Sequence, residues 1–378
     1  MDGVADGPLD PRWEGSEVRL VEAIRDEILA APDRRITFAR FMERALTDPA
    51  LGYYASTDLR PTRAGDFLTA PELHPFFGRC VGRFLSAAWR RAGDPDRFVV
   101  REHGAGRGTL RASALAGLAA DGSALREAIE WQLLDLPGRS RSGDEPAHVV
   151  LANEYLDALP VHRLVHATTL REAYVSWCDD WFCEVLGAPS VAALASYLAA
   201  DGVRLREGQR AEVCLAASRW LATAAGSLLD GGVVLVIDYG HDAEELYGPR
   251  RMAGSLLTYR HQRVSDDPFA AVGHTDITAH VDFTALERTA ADAGLERLGR
   301  TSQGRFLAAL GLSDLLAELG REPTTDPLAY LEARSAVARL IDPRHLGGFG
   351  VLAWDRRAGA GLERAPAGPR LPGFDSSA

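Results

Sequence analysis

The fold is decided by the stretch Phe98-Val-Val-Arg-Glu-His-Gly-Ala-Gly-Arg-Gly-Thr-Leu110. Its apolar, β-branched beginning and its clustered glycines predict a strand that ends in a sharp turn. The Leu- and Ala-rich residues 110–120 predict a helix after that turn. A strand, a glycine turn and a helix N-terminus form the local architecture that holds nucleotide-like ligands in doubly wound α/β folds. The sequence therefore predicts an α/β fold with a ligand site at this turn.

The spacing of the glycines narrows the class of ligand. Gly104, Gly106 and Gly108 form G-x-G-x-G, whereas the dinucleotide fingerprint has its third glycine one position later. With Glu102 two residues before the first glycine, the turn resembles the first motif of class I S-adenosylmethionine methyltransferases. The resemblance implies cofactor contacts along the turn, at Glu102, Gly104, Ala105, Gly106 and Gly108, with the carboxylate of Glu102 meeting the ammonium group of the cofactor. The alternative interpretation is a glycine-rich turn in another kind of α/β enzyme.

Composition and charge bound the class of protein. The chain has 378 residues, of which 46% are hydrophobic and 25% charged, as is typical of a soluble globular protein with one large domain or two ordinary ones. Its net charge of -11 and pI near 5.4 argue against a surface that binds nucleic acid. The acidic residues 1–17 show no signal or transit pattern, and no apolar stretch has the length of a membrane span. We therefore expect a cytoplasmic protein with no nucleic-acid or membrane partner.

The cysteines give no indication of a metal site. Cys80, Cys178, Cys183 and Cys214 have no C-x-x-C spacing and no histidines at metal-ligand intervals. We expect four reduced thiols and no bound metal.

The order of apolar runs and turn residues predicts three regions. These are a helical N-terminal segment over residues 1–95, a Rossmann-like methyltransferase domain over 96–357 with insertions at about 161–208 and 239–280, and a disordered tail over 358–378. Strands are predicted at 98–103, 129–136, 148–152, 233–237, 294–299 and 349–354, and helices at 16–31, 71–89, 110–120, 209–229, 282–293 and 306–319. The resemblance to class I methyltransferases implies that the last strand closes the sheet in the antiparallel direction.

Several separated blocks resemble one family. They are Phe41-Met-Glu-Arg-Ala-Leu, Gly52-Tyr-Tyr, Gly65-Asp-Phe-Leu-Thr-Ala-Pro-Glu-Leu, Ala152-Asn-Glu-Tyr-Leu-Asp-Ala-Leu-Pro-Val-His-Arg, Ile237-Asp-Tyr-Gly-His and Thr275-Asp-Ile-Thr-Ala-His-Val-Asp-Phe. Together with the glycine turn they occur in the order typical of the MidA family of class I S-adenosylmethionine methyltransferases. That family's mitochondrial member is a complex I assembly factor that acts as a protein arginine methyltransferase. The resemblance therefore implies S-adenosylmethionine as cofactor and an unidentified protein as substrate; it does not give the oligomeric state.

Asp135, at the end of the second predicted strand, is a candidate for the cofactor's ribose, because an acidic residue there commonly binds ribose in doubly wound folds. The alternative is that Asp135 only begins the turn before Pro137-Gly138. The family normally has a further helix and short strand after this point, and residues 137–148 are too short to supply them. This short segment differs from the family at the part of the predicted cofactor pocket that would hold the adenosine group.

Asn153, Glu154 and Asp157 follow the strand at 148–152, where open α/β sheets place ligand-contacting residues. We assign Asn153 to the cofactor, and Glu154 and Asp157 to catalysis as the carboxylates that orient a cationic acceptor and remove its proton. A helical turn beginning here would place both carboxylates on one face. The alternatives for Glu154 are a cofactor contact or a helix cap.

The block from Gly65 to Glu72 carries more functional side chains than a connector needs. Asp66 and Thr69 are candidate cofactor contacts, Phe67 is an apolar plug, and Glu72 is a further acceptor-side carboxylate. We predict a lid over the cofactor mouth that excludes water. The alternative is a capped loop that leads into the helix at Pro71.

Three functions are compatible with these patterns. The resemblance favours a methyltransferase that modifies a protein arginine. An assembly or interaction protein that keeps the fold without turnover is the alternative, since the segment after Asp135 is short and a polar His103 stands inside the motif. The glycine spacing disfavours a nicotinamide-dependent oxidoreductase.

Overall fold

The computed structural model describes residues 11–55, 69–135, 145–260, 263–324, 326–357 and 370–374. The helices are α1 (Val18–Ala30), α2 (Phe38–Thr47), α3 (Ala70–Leu73), α4 (Phe76–Arg91), α5 (Thr109–Ala120), α6 (Leu125–Ala128), α7 (Ala193–Ala200), α8 (Leu215–Gly226), α9 (Ala243–Leu246), α10 (Phe283–Asp292), α11 (Gln303–Ala309), α12 (Leu312–Arg321) and α13 (Pro327–Ile341).

The strands are β1 (Arg35–Thr37), β2 (Phe98–His103), β3 (Ile129–Leu134), β4 (Ala147–Asn153), β5 (His162–Ala167), β6 (Thr169–Cys178), β7 (Trp181–Gly187), β8 (Arg210–Val213), β9 (Leu228–Asp238), β10 (Gly240–His241), β11 (Leu257–Arg260), β12 (Arg263–Ser265), β13 (Asp276–Thr278), β14 (Val281–Asp282), β15 (Leu295–Ser302) and β16 (Gly350–Arg356).

The chain divides into two compact units. The core unit contains the described residues of Leu68–Asp157, Ala217–Asp242 and Val281–Ala378, and the accessory unit contains those of Met1–Phe67, Ala158–Ala216 and Ala243–His280. The predicted domain boundaries differ from this division, most of all at the first one, which the sequence placed near residue 95. In the structure α4 packs its apolar face into the same core as the central sheet, so this helix belongs to the core unit.

A six-stranded sheet forms the centre of the core unit, in the order β15-β16-β9-β4-β2-β3. Neighbouring strands from β9 to β3 are parallel, while β16 is antiparallel to both β9 and β15. This confirms the predicted Rossmann-like α/β fold with an antiparallel closing strand. Residues 233–237 of β9 are almost fully buried, as expected for a parallel strand covered on both faces.

Helix α4 packs closely on α5 because glycine faces the contact. A Cβ atom on Gly78 would overlap the Ser113 hydroxyl and come within 2.9 Å of the backbone nitrogen of Ala114. Phe77, Val81 and Phe84 of α4 are fully buried in the core of this unit. The close approach of the two helices therefore fixes the face of α5, the helix that follows the glycine turn.

The accessory unit is mainly antiparallel. Strands β1, β6, β5 and β8 are neighbours in one sheet, where β7 also pairs with β6, and β12-β11-β13 form a second sheet. The apolar sides of α1 and α2 are buried in this unit's core, which also includes Phe182, and Trp181 is buried as well. These two aromatic residues of the β6–β7 hairpin therefore belong to the core of this unit.

Some predicted elements are wrong. The helix predicted over 209–229 is a strand, β8, followed by the shorter α8, because Arg210–Val213 pairs with β5 and this pairing outweighs the helix propensity of the segment. The helix predicted over 306–319 ends and restarts at Gly311, which has φ +84°. The helix predicted over 71–89 is divided into α3 and α4 by a break at His74 and Pro75.

The expectation of four reduced cysteines is also wrong. Cys178 and Cys183 form a disulfide across the β6–β7 hairpin, while Cys80 and Cys214 are not disulfide-bonded. Asp179 and Asp180 both have positive φ and form a tight two-residue turn, which brings the two strands into register beside it. Across the described ranges, no group of three or more His, Cys, Asp or Glu could hold a metal ion. No described helix has the length and apolar character needed to cross a bilayer.

We expect Gly78→Ala to lower the free energy of unfolding by about 1–3 kcal/mol, because the added methyl overpacks the α4–α5 contact. Urea denaturation measures this. The matched control is Gly226→Ala in α8, where a Cβ meets no atom within 4 Å and stability should stay equal or rise by up to about 1 kcal/mol. Equal stability of the Gly78→Ala protein and the wild type would contradict the close packing.

Candidate active site

The glycine turn joins the carboxyl end of β2 to the beginning of α5. Gly104, Gly106 and Gly108 have φ angles of +68°, +52° and +73°, which side chains other than glycine adopt only at a cost. The backbone nitrogen of Gly104 donates to the carbonyl of Leu134 at the end of β3, at 2.9 Å. The turn is therefore held against the neighbouring strand with its conformation fixed by the glycines.

The first two glycines are needed for different steric reasons. A Cβ atom on Gly104 would lie 2.6 Å from the ring of Tyr155, so a side chain there displaces a neighbouring residue. A Cβ on Gly106 would meet no atom of the described residues within 4 Å. The space at Gly106 is thus open to a ligand that approaches the backbone closely.

Glu102 is buried at the end of β2, with 4% of its surface exposed. The indole nitrogen of Trp131, on β3, donates to Glu102 Oε2 at 2.8 Å. Burial raises the pKa of Glu102 to about 7; the Trp131 hydrogen bond and the charge of Arg111 act in the opposite direction, and Asp135 adds to the rise. The structure therefore brings Glu102 and Asp135 within electrostatic reach of each other. Trp131 was not identified from the sequence.

His103 lies among aromatic side chains. Its ring centroid is 5.8 Å from that of Tyr155 and 5.5 Å from that of Trp220 on α8. Burial, with the nearby charge of Arg101, lowers the pKa of His103 to about 4, so the imidazole is neutral at pH 7. The unusual histidine of the motif is thus a packed, uncharged residue in this structure.

Asn153 and Glu154 stand together at the end of β4. Asn153 Nδ2 donates to Glu154 Oε1 at 3.2 Å, and the backbone nitrogen of Ala70 donates to the same oxygen at 3.0 Å. The other two oxygens, Asn153 Oδ1 and Glu154 Oε2, are buried and have no hydrogen-bond partner among the described residues. With Glu154 ionised, the pair therefore offers two unpartnered acceptor atoms on adjacent residues.

Residues 154–157 do not form the helical turn that would place both carboxylates on one face. Residues 154–157 form bends and a turn, and Glu154 has φ +49°, a left-handed conformation that costs a residue with a side chain about 1–2 kcal/mol. Its backbone nitrogen donates to the carbonyl of Ile237 on β9 at 2.8 Å. Glu154 and Asp157 nevertheless lie close enough to interact electrostatically, so the structure brings the two carboxylates together through a turn instead of a helix.

Asp238, at the end of β9, completes a group of buried acids. It is fully buried, and its carboxylate accepts hydrogen bonds from the backbone nitrogens of Tyr155 (3.2 Å), Leu156 (2.8 Å) and Tyr239 (2.9 Å). Burial, reinforced by the charge of Asp157, raises the pKa of Asp238 well above its usual range. Asp238 was not assigned from the sequence, although it stands inside the quoted block that begins at Ile237.

Burial also dominates the titration of Glu154. It raises the pKa of Glu154 to about 8, with Asp157 and Glu72 adding to the rise and the hydrogen bonds from Ala70 and Asn153 opposing it. At pH 7 this carboxyl is therefore mostly protonated while no cation is near it.

The end of the Gly65 to Glu72 block lies at the same place. The backbone nitrogen of Ala70, the residue after Thr69, donates to Glu154. Burial raises the pKa of Glu72, and the charge of Arg107 and hydrogen bonds from Thr69 act in the opposite direction. Asp66 and Phe67 lie outside the described residues. The lid and the cofactor contacts assigned to Thr69 and Asp66 thus stay predictions.

Comparison with known proteins identifies relatives over nearly the whole chain. Residues 118–301 match the family model described as an S-adenosyl-L-methionine-dependent methyltransferase. The chain is similar to the mitochondrial protein arginine methyltransferase NDUFAF7 of Mus musculus, with 28% identity over 90% of this chain and 87% of the relative. Its similarity to the Homo sapiens protein of the same name is 27% over 87% of this chain and 82% of the relative.

A solved structure is similar at higher identity. It is a Burkholderia thailandensis protein bound to S-adenosyl-homocysteine, with 32% identity, a TM-score of 0.79, and coverage of 95% of this chain and 97% of that one. A native crystal structure from the same organism has 32% identity and a TM-score of 0.77. The residues at the glycine turn fit a ligand of this kind, because no described atom fills the space at Gly106 and Glu102, on the strand that leads into the turn, carries a buried carboxyl.

We expect Gly106→Asn to weaken binding of S-adenosyl-homocysteine at least about 100-fold, since the side chain enters the space that the ligand needs. Asparagine tolerates the left-handed conformation, so the fold should persist. Calorimetry measures the affinity. Gly122→Asn is the matched control, because Gly122 has φ +62° and open space around it at the far end of α5. Unchanged affinity in folded Gly106→Asn protein would contradict the placement of the ligand.

Proposed function

The chain belongs to the MidA family of S-adenosylmethionine-dependent methyltransferases, and we propose that its acceptor is an arginine side chain of a protein. The relatives named protein arginine methyltransferase support this acceptor. The observation in the structure that carries the proposal is the pair of unpartnered acceptor atoms at the end of β4, Asn153 Oδ1 and Glu154 Oε2.

Two acceptors on adjacent residues suit a planar donor with two N–H groups. A guanidinium presents parallel donors to such a pair, whereas a lysine ammonium is a compact point charge without a fixed fork. The surrounding acids, Asp157 and Glu72, add negative potential at Glu154. The site therefore favours a cation with the shape of arginine.

The cofactor side is assigned to the residues of the glycine turn and its neighbours. We assign Glu102 to the ammonium group of the cofactor, Gly104, Ala105, Gly106 and Gly108 to close backbone approach, and Asp135 to the ribose, with Asn153 bordering both ligands. When bound, S-adenosylmethionine supplies an activated methyl group on a sulfonium. The protein's main contributions are then alignment of the acceptor and exclusion of water.

Glu154 removes the proton that the guanidinium must lose. An arginine arrives charged because its pKa is above about 12, so a base has to accept one proton from the nitrogen that is methylated. A carboxylate with a pKa raised to about 8 is a stronger base than an ordinary glutamate. Approach of the cation stabilises the ionised form, so binding of the acceptor releases the proton that Glu154 holds in the empty site.

We expect Glu154→Gln to lower kcat for an arginine peptide by about 10²–10⁴-fold, as loss of a general base does, while the affinity for S-adenosylmethionine is retained. The measurement is radiolabelled methyl transfer beside calorimetry. A parallel fall of affinity and activity would place Glu154 in the cofactor site instead. Absence of transfer by the wild type to any arginine substrate would favour the alternative of an interaction protein without turnover.

The raised pKa of Glu154 predicts that KM for the acceptor peptide depends on pH. Because the free pKa of Glu154 is about 8 and the cationic acceptor binds the ionised form, KM for the peptide should fall by up to about tenfold per pH unit between pH 6 and 8 and then level off. The assay uses saturating S-adenosylmethionine. A KM that does not change with pH in the wild type would contradict the assignment.

Cofactor affinity should follow a second titration. With the pKa of Glu102 at about 7 and the ammonium group bound only by the carboxylate, affinity should fall as the pH drops below 7, by up to about tenfold per unit. Calorimetry between pH 5.5 and 7.5 tests this. Glu102→Gln should bind weakly with little pH dependence, and an equal slope in both proteins would exclude Glu102 as the titrating group.

We also propose the cytoplasmic location that was expected from the sequence.

A further inference from the structure

We propose that Asp238 is a positioning residue for methyl transfer, because its carboxylate holds the turn after β4 in the conformation that presents Glu154 to the acceptor. This inference rests on the proposed function, in which Glu154 binds the acceptor. Asp238 itself touches neither the acceptor nor the cofactor; it acts through the backbone.

The backbone of Glu154 needs such a restraint. It is a non-glycine residue with φ +49°, and strained residues of this kind persist only where the surrounding structure fixes them. Its side chain cannot supply the restraint alone, since its bonds to Ala70 and Asn153 involve only Oε1.

Asp238 supplies this restraint by binding the two residues that follow Glu154. The backbone nitrogens of Tyr155 and Leu156 both donate to Asp238 Oδ2, at 3.2 Å and 2.8 Å. A left-handed residue followed by successive N–H groups forms a concave nest that binds an anion, and here the anion is a side chain of the protein. The carboxylate therefore favours the conformation at Glu154 that makes the two N–H groups converge.

Asp238 is itself held in place through its second carboxylate oxygen. Asp238 Oδ1 accepts from the backbone nitrogen of Tyr239 at 2.9 Å, and the adjacent Ile237 carbonyl accepts from the nitrogen of Glu154 at 2.8 Å. Two successive residues of β9 thus hold the turn that carries Glu154. Because Asp238 is fully buried, no water replaces its carboxylate when it is removed.

Asp355 offers a matched control. It is also a buried aspartate of the central sheet, with 7% of its surface exposed, and its partner is Arg91. In the sheet register it pairs with Val233, five residues before Asp238 on β9, whereas Asp238 pairs with Gly350. Its substitution tests the loss of a buried carboxylate without changing the turn at Glu154.

The experiment compares Asp238→Asn with Asp355→Asn. We expect Asp238→Asn to lower kcat for an arginine peptide by about 10²-fold, as displacement of a catalytic group by about 1 Å does, with the affinity for S-adenosylmethionine within about threefold of wild type. Asp355→Asn should lower Tm and leave kcat unchanged. Retained kcat in Asp238→Asn, or an equal loss in both variants, overturns the proposal.

A stability cycle tests the backbone restraint without activity. Glycine adopts the left-handed conformation freely, so Asp238→Asn should lower Tm by about half as much or less in the Glu154→Gly background as in the wild type. If Asp238→Asn does not fold alone, Glu154→Gly should restore folding. Equal Tm losses in both backgrounds, or no restoration, contradict the restraint. Failure of the proposed function is distinct, since the wild type itself then transfers no methyl group to arginine while the cycle still reports on Asp238.

Discussion

Parallel pairing of β2 with β4 and of β4 with β9 is the constraint on which the site depends. In this register His103 lies beside Ala152, and Ala152 beside Val236, so the three strands end at one edge of the sheet. Glu102, Asn153 and Asp238 are separated by 51 and 85 positions along the chain, yet each stands at or just before such a strand end. Ligand sites of open α/β sheets lie outside this edge because the parallel strands deliver their terminal residues there together.

The acids at this edge are held in an unusual way for buried carboxylates. In the accessory unit, buried Glu212 accepts from the guanidinium of Arg163 and from the backbone of Ser255, so a fixed cation compensates its charge. In the core unit, Glu154 and Asp238 accept from backbone N–H groups and an amide. Burial then raises both pKa values, and in the proposed function the cationic acceptor supplies the missing charge. Such an arrangement is costly for stability and suits a site that binds cations.

Left-handed backbone conformations occur on both the cofactor side and the acceptor side of the site, but in different residue types. On the cofactor side every left-handed position of the turn is a glycine, so the conformation has little energetic cost. On the acceptor side the left-handed residue is Glu154, and its cost is offset by contacts to β9. The difference follows from chemistry, since the cofactor requires close approach of a backbone without side chains, whereas the acceptor requires a carboxylate at that point. The aromatic ring of Tyr155 connects the two sides because it fills the space beside Gly104.

The glycine turn and the alternation of strands and helices around it could be predicted from the sequence, because these depend on local apolar periodicity and on the conformations that glycine permits. The antiparallel closing strand was expected only from the resemblance to class I methyltransferases. The sequence also indicated Asn153, Glu154 and Asp157 as residues at a strand end. Only the tertiary structure decided that Arg210–Val213 is a strand, that α4 belongs with the central sheet, and that Cys178 bonds to Cys183. The interactions of Asp238 and Trp131 likewise became visible only there. Each of these features depends on residues that folding brings together from separate parts of the chain. Local sequence patterns do not specify such pairings.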